Sequence, residues 1–173
     1  MWVPFNEGWG QYASYRISAM VKEMDPGRLV NTASGWSLRN CGDIYDLHMY
    51  EEDMSPVPNN PAMASVLGEF GGIGNPVEGH LWNPESNNWG YQTYSSATEA
   101  WKAYKHKLQQ IISFKNNHSL SAAIYTQTSD VESEVNGLLT YDREVIKFPL
   151  DSLNKYHQML YQNGKHMDVL KID

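Results

Sequence analysis

The chain has little of what several classes of protein depend on. Its one cysteine, Cys41, excludes an internal disulfide and a cysteine-rich metal site. Its formal net charge of −7 argues against a nucleic-acid partner, because binding to phosphates needs a basic face. No apolar run approaches the roughly 18 residues of a membrane span, so we expect no membrane partner. What remains is an ordinary globular composition, with 41% hydrophobic and 19% charged residues.

Two further signals are missing where they would carry meaning. No glycine-rich phosphate loop follows any apolar segment, which disfavours a nucleotide-binding fold. No signal-type segment precedes the first apolar segment, which begins at Met1. Because a natural domain seldom begins inside a core strand, we expect the chain to be a fragment of a longer protein. The sequence leaves the cellular compartment of that protein open.

Aromatic residues, by contrast, are plentiful, at 12% of the chain with 6 Trp and 11 Tyr. About half of these rings are expected to pack in the core. The others lie in loop sequence rich in glycine and asparagine, where exposed rings can stack on the apolar faces of sugars. We take Trp36, Trp82 and Trp89 as candidate sugar platforms. The alternative is a small apolar core within the loops.

Short apolar segments alternate with helical patterns along the chain. The predicted strands cover residues 1–6, 29–33, 43–50, 64–69 and 121–126. The predicted helices cover residues 9–24, 95–117 and 149–163, and a long loop covers residues 70–94. Short continuous apolar strands that alternate with helices indicate a parallel sheet covered by helices.

The predicted fold class is therefore α/β, and more narrowly a partial (β/α)8 TIM barrel formed by the whole chain, residues 1–173. Residues of functional type end each predicted strand, and the active sites of such barrels lie at that carboxyl face of the sheet. The predicted strands are too few to close a ring of eight.

Two glutamates stand where predicted strands end. Glu7 follows Asn6 at the end of the first strand, and Glu69 ends the fourth strand among glycines. Each has a structural alternative, since Asn6 and Glu7 could cap the next helix and Glu69 could pair with a distant arginine. Two carboxylates at one barrel mouth are what glycoside hydrolysis needs, with a separation of ~5–5.5 Å for retention and ~6.5–9.5 Å for inversion.

His48 and Tyr50 end the third predicted strand on one face of it, because side chains alternate along a strand. The Tyr50 phenol is suited to hydrogen-bond a nucleophilic carboxylate and to hold its rotamer. His48 is either a substrate contact or a core histidine bonded to backbone. With Asp46 it would supply fewer than the usual three or four metal ligands, so we predict no metal site and no cofactor.

Several motifs stand in order along nearly the whole chain. They are WVPFNEGWGQ at residues 2–11, DPGRLV at 25–30, GEFGG at 68–72 and YTQTSDVE at 125–132, continued by Glu134, NGL at 136–138 and TYDR at 140–143. Together they resemble the C-terminal part of the catalytic barrel of glycoside hydrolase family 2. Members of that family include β-galactosidases, β-glucuronidases and β-mannosidases.

The resemblance implies roles for four residues of this chain. Glu7 would be the acid/base on the fourth barrel strand, and Glu69 the nucleophile on the seventh. Asn6 would bind the 2-hydroxyl of the substrate, and Tyr50 would lie beside the nucleophile on the sixth strand. The chain would then hold strands four to eight.

The chain also departs from the family pattern. It lacks strands one to three and the β-sandwich domains that normally precede the barrel. Where the family often has a tryptophan at the end of strand eight, this chain has Thr126 and Gln127. We take Gln127 as a further candidate substrate contact, and the identity of the sugar stays open.

These observations predict that the intact parent protein is a retaining glycoside hydrolase with a carbohydrate substrate. One alternative is an inactive fragment or a non-catalytic carbohydrate-binding relative. Another is a structural domain whose aromatic loop docks a protein. Because the missing strands would leave open sheet edges, self-association through those edges is a further expectation.

Overall fold

The computed structural model describes residues 1–162 of the chain. The end of the last predicted helix and the polar exit after it lie outside the described residues. The helices are α1 (Ser14–Met24), α2 (Ala97–His118) and α3 (Leu150–Tyr161), and the strands are β1 (Ile44–Met49), β2 (Ala64–Gly71), β3 (Ile73–Gly74), β4 (Gln92–Thr93) and β5 (Ala122–Thr126). A 3-10 turn covers Asn6–Gly8. The protein is of the mixed α/β class, as the sequence predicts.

The main sheet has β2 in its centre, with β1 on one side and β5 on the other. Both neighbours run parallel to β2, as the apolar pattern predicts. The register pairs Leu47 with Leu67 and then shifts, so that His48 pairs with Glu69. Since the strands are parallel, their carboxyl ends meet at one edge of the sheet.

The predicted strands over residues 1–6 and 29–33 are extended segments rather than regular strands. They touch through two isolated parallel bridges, Trp2 with Val30 and Phe5 with Ala33. Pro4 lies between the bridges and has no N–H to donate, so a continuous ladder cannot form across it. The chain then turns sharply after Phe5. These two segments therefore pair less regularly than the strands of the main sheet.

The first helix also differs from its prediction, because it begins at Ser14 rather than at residue 9. Gly8 and Gly10 have φ angles of 76° and 65°, in the left-handed region that a helix excludes. Ala13 is left-handed too, with φ 41°. The second helix agrees closely with its prediction, and Ser96 caps it by accepting a hydrogen bond from the Glu99 N–H.

The hydrophobic core lies between the main sheet and the helices α2 and α3. Leu67 of β2 and Tyr104 of α2 are almost completely buried within it. The other core members are Met54, Val57, Phe70, Ile73, Ala100, Leu108, Ile111, Phe114, Leu120, Phe148, Leu153 and Tyr156. Between residues 1 and 162, no helix combines the length and the apolar character that crossing a lipid bilayer requires.

Candidate functional site

Glu69 lies near the carboxyl end of β2, in the middle of the main sheet. Tyr50 follows β1 directly and donates its hydroxyl hydrogen to Glu69 Oε2. Thr126, the last residue of β5, brings its hydroxyl to 3.5 Å from the same oxygen. The Glu69 carboxylate thus accepts hydrogen bonds from residues at the carboxyl ends of both neighbouring strands.

Glu7 lies in the turn that follows the first extended segment. Its backbone is left-handed, with φ 52° and ψ 21°, and its N–H donates to Ser34 Oγ at 3.0 Å. The Ser34 hydroxyl in turn donates to Asn6 Oδ1 at 2.7 Å. Ser34 is buried and directly follows the second extended segment, so one hydroxyl positions both residues of the Asn-Glu pair.

His48 joins the two glutamates. Its Nδ1 lies 3.1 Å from Glu7 Oε1 and 3.7 Å from Glu69 Oε1. On its other side, Nε2 lies 3.5 Å from Asp46 Oδ2. The sequence left open whether His48 is bonded to backbone in the core; in the structure its partners are carboxylates, and its side chain is 1% exposed.

Asp46 is buried beneath this cluster and is itself tightly held. Its Oδ1 accepts a hydrogen bond from the Gly68 N–H at 2.6 Å, and its Oδ2 accepts one from Asn31 Nδ2 at 2.7 Å. Gly68 is needed here, because a Cβ atom would lie 2.2 Å from the Asp46 carboxylate. Asp46 therefore links β1, β2 and the second extended segment directly under His48.

The charges at the site follow from these contacts. Burial alone would lower the pKa of His48, but its hydrogen bond with Asp46, the charge of Glu69 and its hydrogen bond with Glu7 together raise the pKa above its usual value. Burial and the hydrogen bond to Glu69 raise the pKa of Tyr50 far above its usual value. The Tyr50 phenol therefore stays protonated and keeps donating to Glu69.

The two glutamates open into a cleft of about 470 Å³ at the carboxyl edge of the sheet. It contains four of the predicted site residues, namely Asn6, Glu7, Glu69 and Gln127. The remaining lining residues are Gly68, Tyr91, Ile124, Tyr125, Thr126 and Glu134. Residues distant in sequence thus meet in one open depression.

The three candidate tryptophans have different positions. Trp36 is 62% exposed and meets the His48 ring edge-on at 6.0 Å between centroids, which places it beside the site. Trp89 packs edge-on against Tyr91, a lining residue of the cleft, at 5.7 Å. Trp82 packs against Tyr141 instead and does not line the cleft.

Sequence reasoning missed several residues that shape the site. The ring of Tyr91 stacks on that of Tyr50 with 3.6 Å between centroids. Ser34 reaches the site through contacts with Glu7 and Asn6, which are distant in sequence. Glu134 lies in a sequence motif to which no role at the site was assigned, and it lines the cleft. Asp46 was detectable, because it shares a strand face with His48 and Tyr50.

The same cluster has ligand types that a divalent cation accepts. One potential ligand atom from each of Glu7, His48 and Glu69 lies within 4.8 Å of the other two. A metal needs the neutral imidazole, however, and the raised pKa of His48 favours its protonated form. The predicted absence of a metal stays a prediction.

Comparison with known proteins gives similarity to solved structures at low sequence identity. No model of a known protein family matches the chain, and no curated protein sequence matches it. Among solved structures, it is similar to one described as the FMN-binding β-glucuronidase from Facaelibacterium prausnitzii L2-6, with a TM-score of 0.53 and 16% sequence identity. The similarity covers 87% of this chain and 26% of that protein. The chain therefore spans about a quarter of the length of its structural neighbour, and what they share is the fold.

Proposed function

We propose that this chain carries the catalytic pair of a retaining glycoside hydrolase of family 2. The observation that carries the proposal is the meeting of Glu7 and Glu69 in the cleft. One carboxylate oxygen of each lies within 4.8 Å of the other. That approach is compatible with the ~5–5.5 Å carboxyl separation of retaining enzymes.

Glu69 is the proposed nucleophile. Its Oε2 accepts from the hydroxyls of Tyr50 and Thr126, which hold the side chain in one rotamer. An oxygen of Glu69 attacks the anomeric carbon and forms an ester bond to the sugar. The bond from that carbon to the leaving oxygen breaks, and its electron pair goes to the leaving oxygen.

Glu7 is the proposed acid/base. In the first step it gives its proton to the leaving oxygen. In the second step it takes a proton from water, whose oxygen attacks the anomeric carbon while the ester bond to Glu69 breaks. Asn6 lines the same cleft and is the proposed partner of a sugar hydroxyl.

The partial barrel also belongs to the proposal. The first extended segment contacts the second, and the Asp43 N–H donates to the Val30 carbonyl at 2.8 Å, next to β1. The order is then first segment, second segment, β1, β2 and β5, as expected for strands four to eight of a barrel. The structural neighbour, described as a β-glucuronidase, supports a glycosidase-like function at the level of fold.

A hydrolysis screen against nitrophenyl β-glycosides tests the proposal. We expect Glu69→Gln to reduce kcat/KM at least roughly 1,000-fold on every substrate, because no ester can form. Glu7→Gln should cost about 10²–10⁴-fold, with the smaller loss on leaving groups that need little protonation. Glu132→Gln is the matched control, since Glu132 is exposed and does not line the cleft.

Two results separate this proposal from a sugar-binding module without catalysis. A 2-fluoro sugar with a good leaving group should label Glu69 covalently, and peptide mass spectrometry should locate the label. Azide should restore turnover to Glu69→Ala by attacking the anomeric carbon in place of the carboxylate. Sugar binding without hydrolysis, labelling or rescue would contradict the proposal.

A further inference from the structure

A third carboxylate, that of Glu134, lines the cleft beside the proposed catalytic pair. It lies in the segment that follows β5. Its Oε1 accepts a hydrogen bond from Asn136 Nδ2 at 2.8 Å, and Asn136 Oδ1 accepts one from Gln127 Nε2 at 3.0 Å. Asn136 is completely buried, so this chain of hydrogen bonds anchors Glu134 to Gln127 in the cleft wall.

The backbone around Glu134 is fixed as well. Its N–H donates to the Val131 carbonyl at 3.0 Å, and its carbonyl accepts from the Val131 N–H at 3.1 Å. The neighbouring Val135 N–H donates to the Trp89 carbonyl at 2.7 Å, which ties this segment to the long loop. The carboxylate is therefore presented by a braced turn with its side chain partly exposed in the cleft.

The cleft around the three carboxylates is electronegative. Burial first, and then the charges of Glu134, Glu7 and Glu69, raise the pKa of the Tyr91 phenol, while a hydrogen bond with Tyr50 opposes the shift. The Tyr91 hydroxyl thus feels all three carboxylates. The carboxylates can accept hydrogen bonds from the hydroxyl groups of a ligand in this cleft, and they repel a ligand that carries a negative charge.

We propose that Glu134 is a specificity-determining residue that selects a neutral sugar over a uronic acid. Its carboxylate accepts a hydrogen bond from a hydroxyl of the bound sugar and repels a sugar carboxylate at the same place. This inference rests on the proposed function in one respect, namely that the cleft binds the sugar. It assigns the substrate class to neutral glycosides, although the structural neighbour is described as a β-glucuronidase.

Non-hydrolysed ligands test this inference without requiring turnover. Methyl 1-thio-β-glucoside and its glucuronide differ only at carbon six, as do the galactoside and its galacturonide. Their dissociation constants can be measured by calorimetry with the unmodified chain. We expect the neutral member of at least one pair to bind roughly 10- to 100-fold more tightly, as a hydrogen bond to a charged group implies.

Variants show whether Glu134 is the cause. Glu134→Gln should reduce the preference for the neutral sugar at least about tenfold, because it removes the charge but keeps an acceptor for Asn136. Glu134→Asp keeps the charge and should keep most of the discrimination against the uronide. Glu132→Gln, two residues away and exposed, should leave the preference unchanged. Circular dichroism verifies that each variant is folded.

The outcomes also separate this inference from the catalytic proposal. Neutral-sugar preference that depends on Glu134, without any hydrolysis, would support the inference and contradict the catalytic role. Equal or tighter binding of the uronide would overturn the inference even if the chain hydrolyses glycosides. A preference that Glu134→Gln leaves unchanged would overturn it, and so would the absence of sugar binding.

Discussion

The two glutamates of the proposed pair stand in unlike parts of the molecule. Glu69 belongs to β2, which has a parallel strand on each side and the hydrophobic core behind it. Glu7 belongs to a turn after an extended segment that its neighbour contacts through two isolated bridges. Around that turn, large side chains such as Trp9 and Tyr12 are 79% and 60% exposed.

The difference shows how a side chain can be positioned precisely in a segment that forms no regular strand. Glu69 takes its position from regular backbone pairing and from apolar packing. Glu7 takes its position from polar side chains, namely Ser34 on its backbone and His48 on its carboxylate. The main sheet therefore sets the site, and a small hydrogen-bonded network attaches the second glutamate to it.

The largest expected effect tests the contrast in packing with one substitution at two places. Leu67→Ala, at a completely buried position of β2, should lower the free energy of unfolding by about 2–5 kcal/mol. Leu29→Ala, at a 51% exposed position of the second extended segment, should change it by no more than about 0.5 kcal/mol. Urea unfolding followed by circular dichroism measures both. Equal losses would contradict the difference in burial between the two leucines.

Sequence patterns predicted helix α2 and the strands of the main sheet better than the segments that precede them. The helix predicted over residues 95–117 is observed as Ala97–His118, because its long apolar stripe and its Ser96 cap act together. The strand predicted over residues 64–69 is observed as Ala64–Gly71. Over residues 1–6 the apolar signal was present, but Pro4 and the left-handed backbone at Glu7 interrupt the ladder.

The candidate site divides in the same way. Glu7, Glu69, His48 and Tyr50 were accessible to sequence reasoning, because each lies at the end of an apolar run, and the structure brings them together. Glu134 belongs to one of the sequence motifs but had no predicted role, because its place in the cleft depends on the pairing of its segment with the long loop at Trp89. Contacts of that kind arise only from the tertiary fold.

The second prediction concerns the hydrogen bond that links the second extended segment to the main sheet. Asn31 lies in that segment and donates to Asp46 Oδ2 of β1 at 2.7 Å. Asn31→Ala should lower the free energy of unfolding by about 1–3 kcal/mol, because it leaves a buried carboxylate oxygen short of a donor. Asn117→Ala, at an exposed position of α2, is the matched control and should change it by no more than about 0.5 kcal/mol.

If both asparagine variants unfolded at the same urea concentration, the hydrogen bond from Asn31 to Asp46 would not be what links the two regions. In that case Asp46 would be held well enough by the Gly68 N–H and His48 alone. The first and second extended segments would then be held in place by the bridges between them and by the hydrogen bonds of Ser34. Hydrogen exchange of the Asn31 and Ser34 amides would distinguish local opening of these segments from global unfolding.

The smallest expected effect is a pH dependence of stability that comes from His48. Burial opposes its charge, but Asp46, Glu69 and Glu7 outweigh that effect and raise its folded-state pKa above the unfolded value near 6.5. The folded state therefore binds the proton more tightly. The stabilisation is complete below about pH 6.5 and is lost as the pH rises through the folded-state pKa, with a slope of at most about 1.4 kcal/mol per pH unit.

His48→Gln should remove this part of the slope, which is seen by comparing urea unfolding of the variant and the unmodified chain between about pH 6 and pH 9. His118→Gln, at an exposed position at the end of α2, should leave the slope in place. A difference between the His48 variant and the unmodified chain that stays constant with pH would contradict the prediction, because it would show that His48 binds its proton equally well in the folded and unfolded states. His48 contacts both glutamates. The protonation state of its ring therefore decides whether the turn that carries Glu7 is bound to β1 by an ion pair or by a hydrogen bond from a neutral imidazole.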